Sequence, residues 1–284
     1  MRRGAGQRVA VHPRGVLTTR RTAWLAGTIL AALAAYVLTP FPQAAGEAAA
    51  KRGIPFSGTA AVGALFTKKA TGKLGSHFCT ASVVNSPGEN LLITAAHCMA
   101  GRSLGPTTGV VFAPGYHDGK FPHGKWTITA TYVNSAWELH HNPNDDVAFL
   151  VAGRLGTHIQ RHTGAEILKI NRPPQVVDVI GYPDSTSEPI TCTAPARSFD
   201  GGHQMVFDCD NYTNGTSGGP FLAHVKARTG DGKVIGVIGG YQEGGDTPDI
   251  SYSPRFYSNI RSLYDTAVAD SSASTAALSA PSSG

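Results

Sequence analysis

From about residue 60 onward, apolar residues gather in short runs set apart by Gly, Pro, Asn and Ser, the spacing of strands joined by turns. A first set comprises 60–66, 78–84, 91–94, 109–112, 126–133 and 147–151, and a second comprises 176–180, 190–198, 204–209, 220–223 and 234–241. Within 126–133, Trp126, Ile128, Ala130 and Tyr132 share one face while Thr127, Thr129 and Thr131 share the other, the alternation of a half-buried strand. One segment carries a convincing helical period. Phe256, Ile260, Leu263, Tyr264 and Ala267 form a stripe, with Ser253 suited to the N-cap and Pro254 to the first helical position. The pattern predicts an all-β chain of two successive barrels or sandwiches and a C-terminal helix over 252–268. The Ser- and Ala-rich remainder, 269–284, is predicted to be disordered.

The first fifty residues follow a different pattern. A basic stretch ending at Arg21 precedes an apolar run over 23–38, then Pro40, Pro42 and small residues, which is the order of a secretory signal. Sixteen mostly apolar positions fall short of the roughly 20 that a membrane span requires, although a retained anchor is the alternative. Small residues at the −3 and −1 positions fit cleavage after Gly46 or after Ala50, so that 1–50 would be removed. Arg20 and Arg21 fit the twin-arginine route poorly, because Thr22, Ala23 and Trp24 follow them, and the choice of route stays open.

Charge changes the picture once it is located. The net charge of +5 suggests a nucleic-acid binder, but six arginines fall before residue 22. After Ala50 the chain holds eighteen basic and eighteen acidic residues, so no phosphate-tracking surface is indicated. With 41% hydrophobic residues, 15% charged, 34 Gly and 18 Pro, the composition argues against a charged helical rod. Export also changes how the four cysteines are read, since an oxidising compartment lets thiols pair. Asp200 and Gly201 suit a two-residue hairpin turn, and pairing Phe199 with Gly202 sets Cys192 opposite Cys209, close enough for a bridge. Cys79 and Cys98 remain.

Three short motifs carry candidate chemistry. Residues 91–98 read LLITAAHC, an apolar strand running into His97; residues 144–150 read NDDVAFL, with Asp146 at the mouth of an apolar strand and Asp145 beside it. Residues 215–220 read GTSGGP, where glycines on both sides of Ser217 allow a tight backbone that exposes Oγ and turns amides inward. Each is common alone; their conjunction in this order on a β-rich chain is specific.

Through these motifs the sequence resembles the chymotrypsin-like serine proteases, over about 57–268. The resemblance implies two six-stranded antiparallel β-barrels, one over 51–155 holding His97 and Asp146 and one over 156–251 holding Ser217, followed by the helix. It implies a bridge from Cys79 to Cys98, and a secreted, monomeric endopeptidase acting on protein or peptide substrates without cofactor, metal, nucleic acid or stable membrane association. It assigns Ser217 as nucleophile, His97 as general base and Asp146 as the group that orients the imidazole, with the amides of Gly215 and Ser217 as oxyanion hole. Gly181, Tyr182 and Pro183 and the short second barrel look most like the bacterial glutamyl endopeptidase branch.

This sequence departs from the family at two places. Most members carry Asp before the serine, where this chain has Thr216, and no IVGG-like start is present, so activation by a newly freed amino terminus is not implied. Glutamyl endopeptidases use a histidine in the strand after the serine, and Ile238 stands at that position, beside Gly239 and Gly240. Counting six back from Ser217 puts Asn211 at the base of a specificity pocket, with Asp210 the choice if the alignment takes a gap of one residue. Three other readings compete. The Gly-x-Ser-x-Gly pattern also fits an α/β-hydrolase esterase, which would need its acid and histidine after the serine, where only His224 lies. An inactive relative acting as a binding module would keep the fold. His140, His141, Asp145 and Asp146 have metal-ligand chemistry without an established spacing.

Overall fold

The computed structural model describes residues 51–99, 109–154 and 156–279; the expected secretory segment lies outside them. A short strand β1 (Ile54–Pro55) precedes β2 (Val62–Lys68), β3 (Leu74–Val84), β4 (Leu91–Thr94), β5 (Val110–Pro114), β6 (Trp126–Val133), helix α1 (Ser135–His140) and β7 (Ala148–Gly153). Strands β2 to β7 close into a six-stranded barrel in the order β2-β3-β4-β7-β6-β5. The second half holds α2 (Gln160–Thr163), β8 (Ile167–Leu168), β9 (Val176–Gly181), β10 (Ile190–Phe199), β11 (Gln204–Asp208), β12 (Pro220–Ala223), β13 (Lys233–Val237), β14 (Ile250–Pro254) and helix α3 (Ser258–Ser279).

The apolar runs of β4 and β7 lack polar alternation because both of their faces are buried. Ala148, Leu150 and Ala152 pack with Leu65, Phe112 and Trp126 in one core. Val147 and Phe149 face the opposite way and join Ile180, Tyr182, Leu222, Phe256 and Ile260 from the second half. Each fully buried Leu, Ile or Phe here contributes roughly 1.5–3 kcal/mol of transfer free energy. A third core, around Val179, Met205, Phe207, Phe221 and Ile235, lies within the second half. Helix α3 returns to the first barrel, where Tyr264 packs edge-on against Phe149 and its hydroxyl donates to the carbonyl of Asn85 at 2.8 Å.

The second half differs from the expected closed six-stranded barrel. It is an eight-stranded sheet in which β14-β11-β10-β9-β12-β13 run in order, β8 adds parallel to β13, and β1 pairs with β10. The six central strands nevertheless curl until the ends meet. Val237 N–H donates to Ser253 Oγ at 3.0 Å and Gly239 N–H to the carbonyl of Tyr252 at 3.0 Å, in place of a continuous ladder.

Three local expectations are corrected. Ser253 and Pro254 end strand β14 rather than starting the helix, because Ser253 Oγ is taken by Val237; the helix starts at Ser258 and continues through 269–279, where the composition predicts disorder. Alanine, the strongest helix former, is frequent there. The hairpin turn takes four residues instead of two. Asp200 and Gly201 do have positive φ, but Gly202 follows them at +92° and Phe199 pairs with Gln204. The bridge between Cys192 and Cys209 still forms, with Cα atoms 6.7 Å apart, although the cross-strand partner of Cys192 is Val179 on β9. The segment 234–241 leaves the sheet after Val237.

Candidate active site

His97 follows β4 in a turn fixed by the bridge from Cys98 to Cys79 on β3, whose Cα atoms are 6.2 Å apart. Asp146 follows a 3-10 turn over Pro143–Asp145 and is separated by Val147 alone from β7. The two meet at the rim of the first barrel because β4 and β7 are neighbours, with Thr94 opposite Ala148. His97 Nδ1 lies 2.8 Å from Asp146 Oδ2, and the backbone N–H of His97 donates to Oδ1 at 2.8 Å. Asp146 has no solvent exposure. Its charge is met by a third donor, the backbone N–H of Gly240, at 2.7 Å from Oδ2. A ring N–H at Nδ1 makes Nε2 the acceptor of a neutral imidazole.

Ser217 lies on a loop whose backbone conformation requires glycine. Gly215 has φ +93°, and a side-chain carbon on it would fall 2.5 Å from the backbone N of Asp184 and the backbone O of Tyr182. The N–H groups of Thr216, Gly218 and Gly219 donate to Thr213, Ile238 and Thr216 carbonyls, whereas those of Gly215 and Ser217 find no acceptor among the described residues. Two amides left unpaired beside a half-buried serine that lines a cleft are an anion-binding arrangement. Ser217 and Gly215 line one cleft of about 840 Å³ with His97, His77 and Cys79 from the first barrel. A smaller pocket of about 210 Å³ adjoins Ser217 and is lined in part by Tyr212, Asn214, Ile238, Glu243 and Asp246.

The expected substrate-binding residues separate. Ile238 lines the small pocket, but Asn211 does not: its Nδ2 donates to the carbonyl of Gly53 at 3.0 Å and its Oδ1 accepts from Arg52 at 3.2 Å. Gly239 and Gly240 sit against Asp146 rather than the pocket; a side-chain carbon at 239 would lie 2.8 Å from Asp146 Oδ2. The metal reading is not supported. Among the described residues His140, His141, Asp145 and Asp146 do not gather into a ligand set, and Asp145 is bound by amides of Asn134, Asn142 and Asn259 at 2.8, 2.9 and 2.8 Å. The one group of ligand-type side chains that does gather among them, Cys79, His97 and Cys98, has its thiols committed to the bridge. An antiparallel barrel followed by an antiparallel-rich sheet also excludes the α/β-hydrolase alternative, whose sheet is mostly parallel.

Thr80 and the part that Gly240 plays carry no mark in the sequence. Thr80 bonds across to Gly215 and Ser217, and the Gly240 amide completes the shell of Asp146. Neither residue type signals such a role in the sequence, since each acts on a partner 94 or more positions away.

A closed barrel bearing a buried Asp–His pair, facing a glycine-framed serine loop on a second sheet, defines a peptidase of the chymotrypsin-like class. The sequence matches the trypsin-like peptidase domain over residues 79–237, more than half of the chain, and the protein belongs to that family. Protease Anisep from Arthrobacter nicotinovorans is 25% identical, with a TM-score of 0.63 over 76% of this chain and 98% of that one. The thermostable serine protease AL20 from an extremophilic microorganism is 26% identical, with a TM-score of 0.63 over 74% of this chain and 98% of that one. A Glu endopeptidase at 18% identity shares the fold, with a TM-score of 0.60 over 77% of this chain and 97% of that one. No curated protein matches the chain.

Proposed function

We propose that the protein is a secreted serine endopeptidase that cleaves peptide bonds through Ser217, His97 and Asp146. The observation that carries this reading is the 2.8 Å contact between His97 and a fully buried Asp146 at a cleft shared with Ser217. In the first step Ser217 Oγ attacks the scissile carbonyl while His97 Nε2 takes its proton. The amides of Gly215 and Ser217 receive the oxyanion, each such donor contributing roughly 3 kcal/mol to transition-state stabilisation. The imidazolium then protonates the leaving amine, and water, activated by the same imidazole, hydrolyses the acyl-enzyme. Asp146 holds the tautomer and stabilises the transient imidazolium without taking the proton. Two disulfides and the signal-like first fifty residues support an extracellular site of action.

The test is direct. A fluorophosphonate should label wild-type protein at Ser217 and leave Ser217→Ala unlabelled. Ser217→Ala and His97→Ala should each lower hydrolysis by about 10³-fold or more while the fold persists. Turnover by Ser217→Ala near the wild-type rate overturns the assignment, and absence of both labelling and hydrolysis in wild type favours the inactive binding module.

A further inference from the structure

Thr80 lies on β3 one residue after Cys79 and is wholly buried. Its hydroxyl donates to the carbonyl of Gly215 at 2.9 Å and accepts from the backbone N–H of Tyr182 at 2.9 Å. Its backbone N–H donates to the carbonyl of Ser217 at 2.8 Å, and its carbonyl accepts from Thr94 Oγ1 at 2.7 Å. One residue of the first barrel thus grips the carbonyls on both sides of Thr216. It is also tied to the strand that leads into His97.

This grip fixes what glycine leaves loose. Gly215 has the widest backbone freedom of any residue type and sits at φ +93°, so nothing in its own chemistry fixes its peptide planes. Its N–H lies in the preceding peptide, whose Asn214 carbonyl accepts from the backbone N–H of Asp184 at 2.8 Å; the peptide that follows, which carries the Gly215 carbonyl and separates the two amides of the hole, is the one that Thr80 holds. The residue before the serine contributes no charge to holding the loop. Thr216 Oγ1 donates to the carbonyl of Thr213 at 2.7 Å and stays within its own loop. From outside the loop, the Gly215 carbonyl is held by the neutral hydroxyl of Thr80.

We propose that Thr80 is a positioning residue for the oxyanion hole, its hydroxyl reaching from the first barrel to hold the Gly215 peptide so that the amides of Gly215 and Ser217 converge on the cleft. The proposal rests on the serine-peptidase reading above. It places the control of oxyanion geometry on a residue that touches neither substrate nor the reacting atoms.

Thr80→Val keeps the size and branching of the side chain and removes the hydroxyl, while Thr80→Ser keeps the hydroxyl. Both are compared with wild type on p-nitrophenyl acetate and on a fluorogenic peptide taken from a casein cleavage site, at equal folded protein judged by near-ultraviolet circular dichroism. Thr80→Val should lose about 10- to 100-fold in kcat with KM within about threefold, because a misaligned donor acts mainly on the transition state. Its affinity for a peptidyl aldehyde, whose adduct places an oxyanion in the hole, should fall by a similar factor. Affinity for the matching product peptide should hold. Thr80→Ser should remain within about threefold of wild type in every readout. If valine prevents accumulation of folded protein, Thr80→Ala carries the same expectations. Equal kcat in wild type and the hydroxyl-less variant overturns the proposal, as does a loss that Thr80→Ser shares or one that spares aldehyde binding. Wild-type protein that neither hydrolyses nor labels with fluorophosphonate overturns the peptidase reading itself, and this proposal with it.

Discussion

Asp145 and Asp146 are adjacent, identical in chemistry and both buried, yet their surroundings assign them to different work. Asp146 receives His97 and two backbone amides, whereas Asp145 receives three side-chain amides, from the residue preceding α1, from the residue preceding its own turn and from the N-terminal turn of α3. Asp146→Asn should therefore cost about 10³-fold or more in turnover with little loss of folding free energy, since an amide can hold the geometry but favours the wrong imidazole tautomer. Asp145→Ala should do the reverse. It leaves three part-buried amide donors without their acceptor and should cost about 1–3 kcal/mol in urea unfolding, with turnover of the folded fraction within about tenfold of wild type. Equal kinetic damage from both variants would remove the distinction. In the sequence Asp146 is singled out by the apolar run that follows it and by the resemblance, whereas the adjacency of β4 and β7 that brings it to His97 is a tertiary fact. The role of Thr80 was not legible there, because it depends on a contact 135 positions away.

At the scale of elements, strands that bury apolar side chains were legible and strands that bury small polar ones were not. β14 is hidden because its inward positions are Ser251 and Ser253, both buried, whose oxygen chemistry suggests a helix cap. The hairpin after β10 keeps its bridge but not its expected register, since turn residues signal that a turn exists more firmly than they signal its length. The connection between the two halves holds a charge problem that no local pattern announces. Glu166 is fully buried, its backbone pairs with Val83 and Asn85 at the end of β3, and its Oε2 accepts from the N–H of Gly232. Burial pushes this carboxyl up to about 8, Asp231 adds to the effect, and the Gly232 amide and Lys226 oppose it. Between the ordinary carboxylate range and that value, the unfolded chain ionises while the folded one keeps its proton. Stability should therefore fall as pH rises from about 4.5 to 8, by on the order of 5 kcal/mol, and level off above. Glu166→Gln should flatten that slope in urea midpoints measured across pH 5 to 9, whatever its absolute stability; an unchanged slope would mean that another group sets it.

For the whole molecule, the question is what makes the serine loop competent. Activation by a freshly cut Ile or Val would bury a new ammonium, which costs several kcal/mol unless a carboxylate meets it. Beside Ser217 the corresponding residue is Thr216, almost wholly buried and bonded to Thr213. The first Ile or Val after Lys51 is Ile54, which is 60% exposed and paired with Thr191 on β10, a placement no ion pair with the serine loop can use. The segment from Lys51 instead adds to the outside of the second half: Gly53 N–H donates to the carbonyl of Asp210 at 2.8 Å, and Asp210 N–H donates to that of Lys51 at 2.9 Å. The loop that follows is then held by neutral hydrogen bonds and by the bridge at Cys209, all complete once the chain has folded. A chain beginning at Lys51 should accordingly hydrolyse substrate directly, and its Ser217→Ala counterpart, unable to process itself, should show the same amino terminus and the same near-ultraviolet spectrum. Amino-terminal sequencing of the active enzyme decides the matter. The expectation fails if activity always coincides with a new Ile or Val terminus and the chain beginning at Lys51 stays inert until it is cut there.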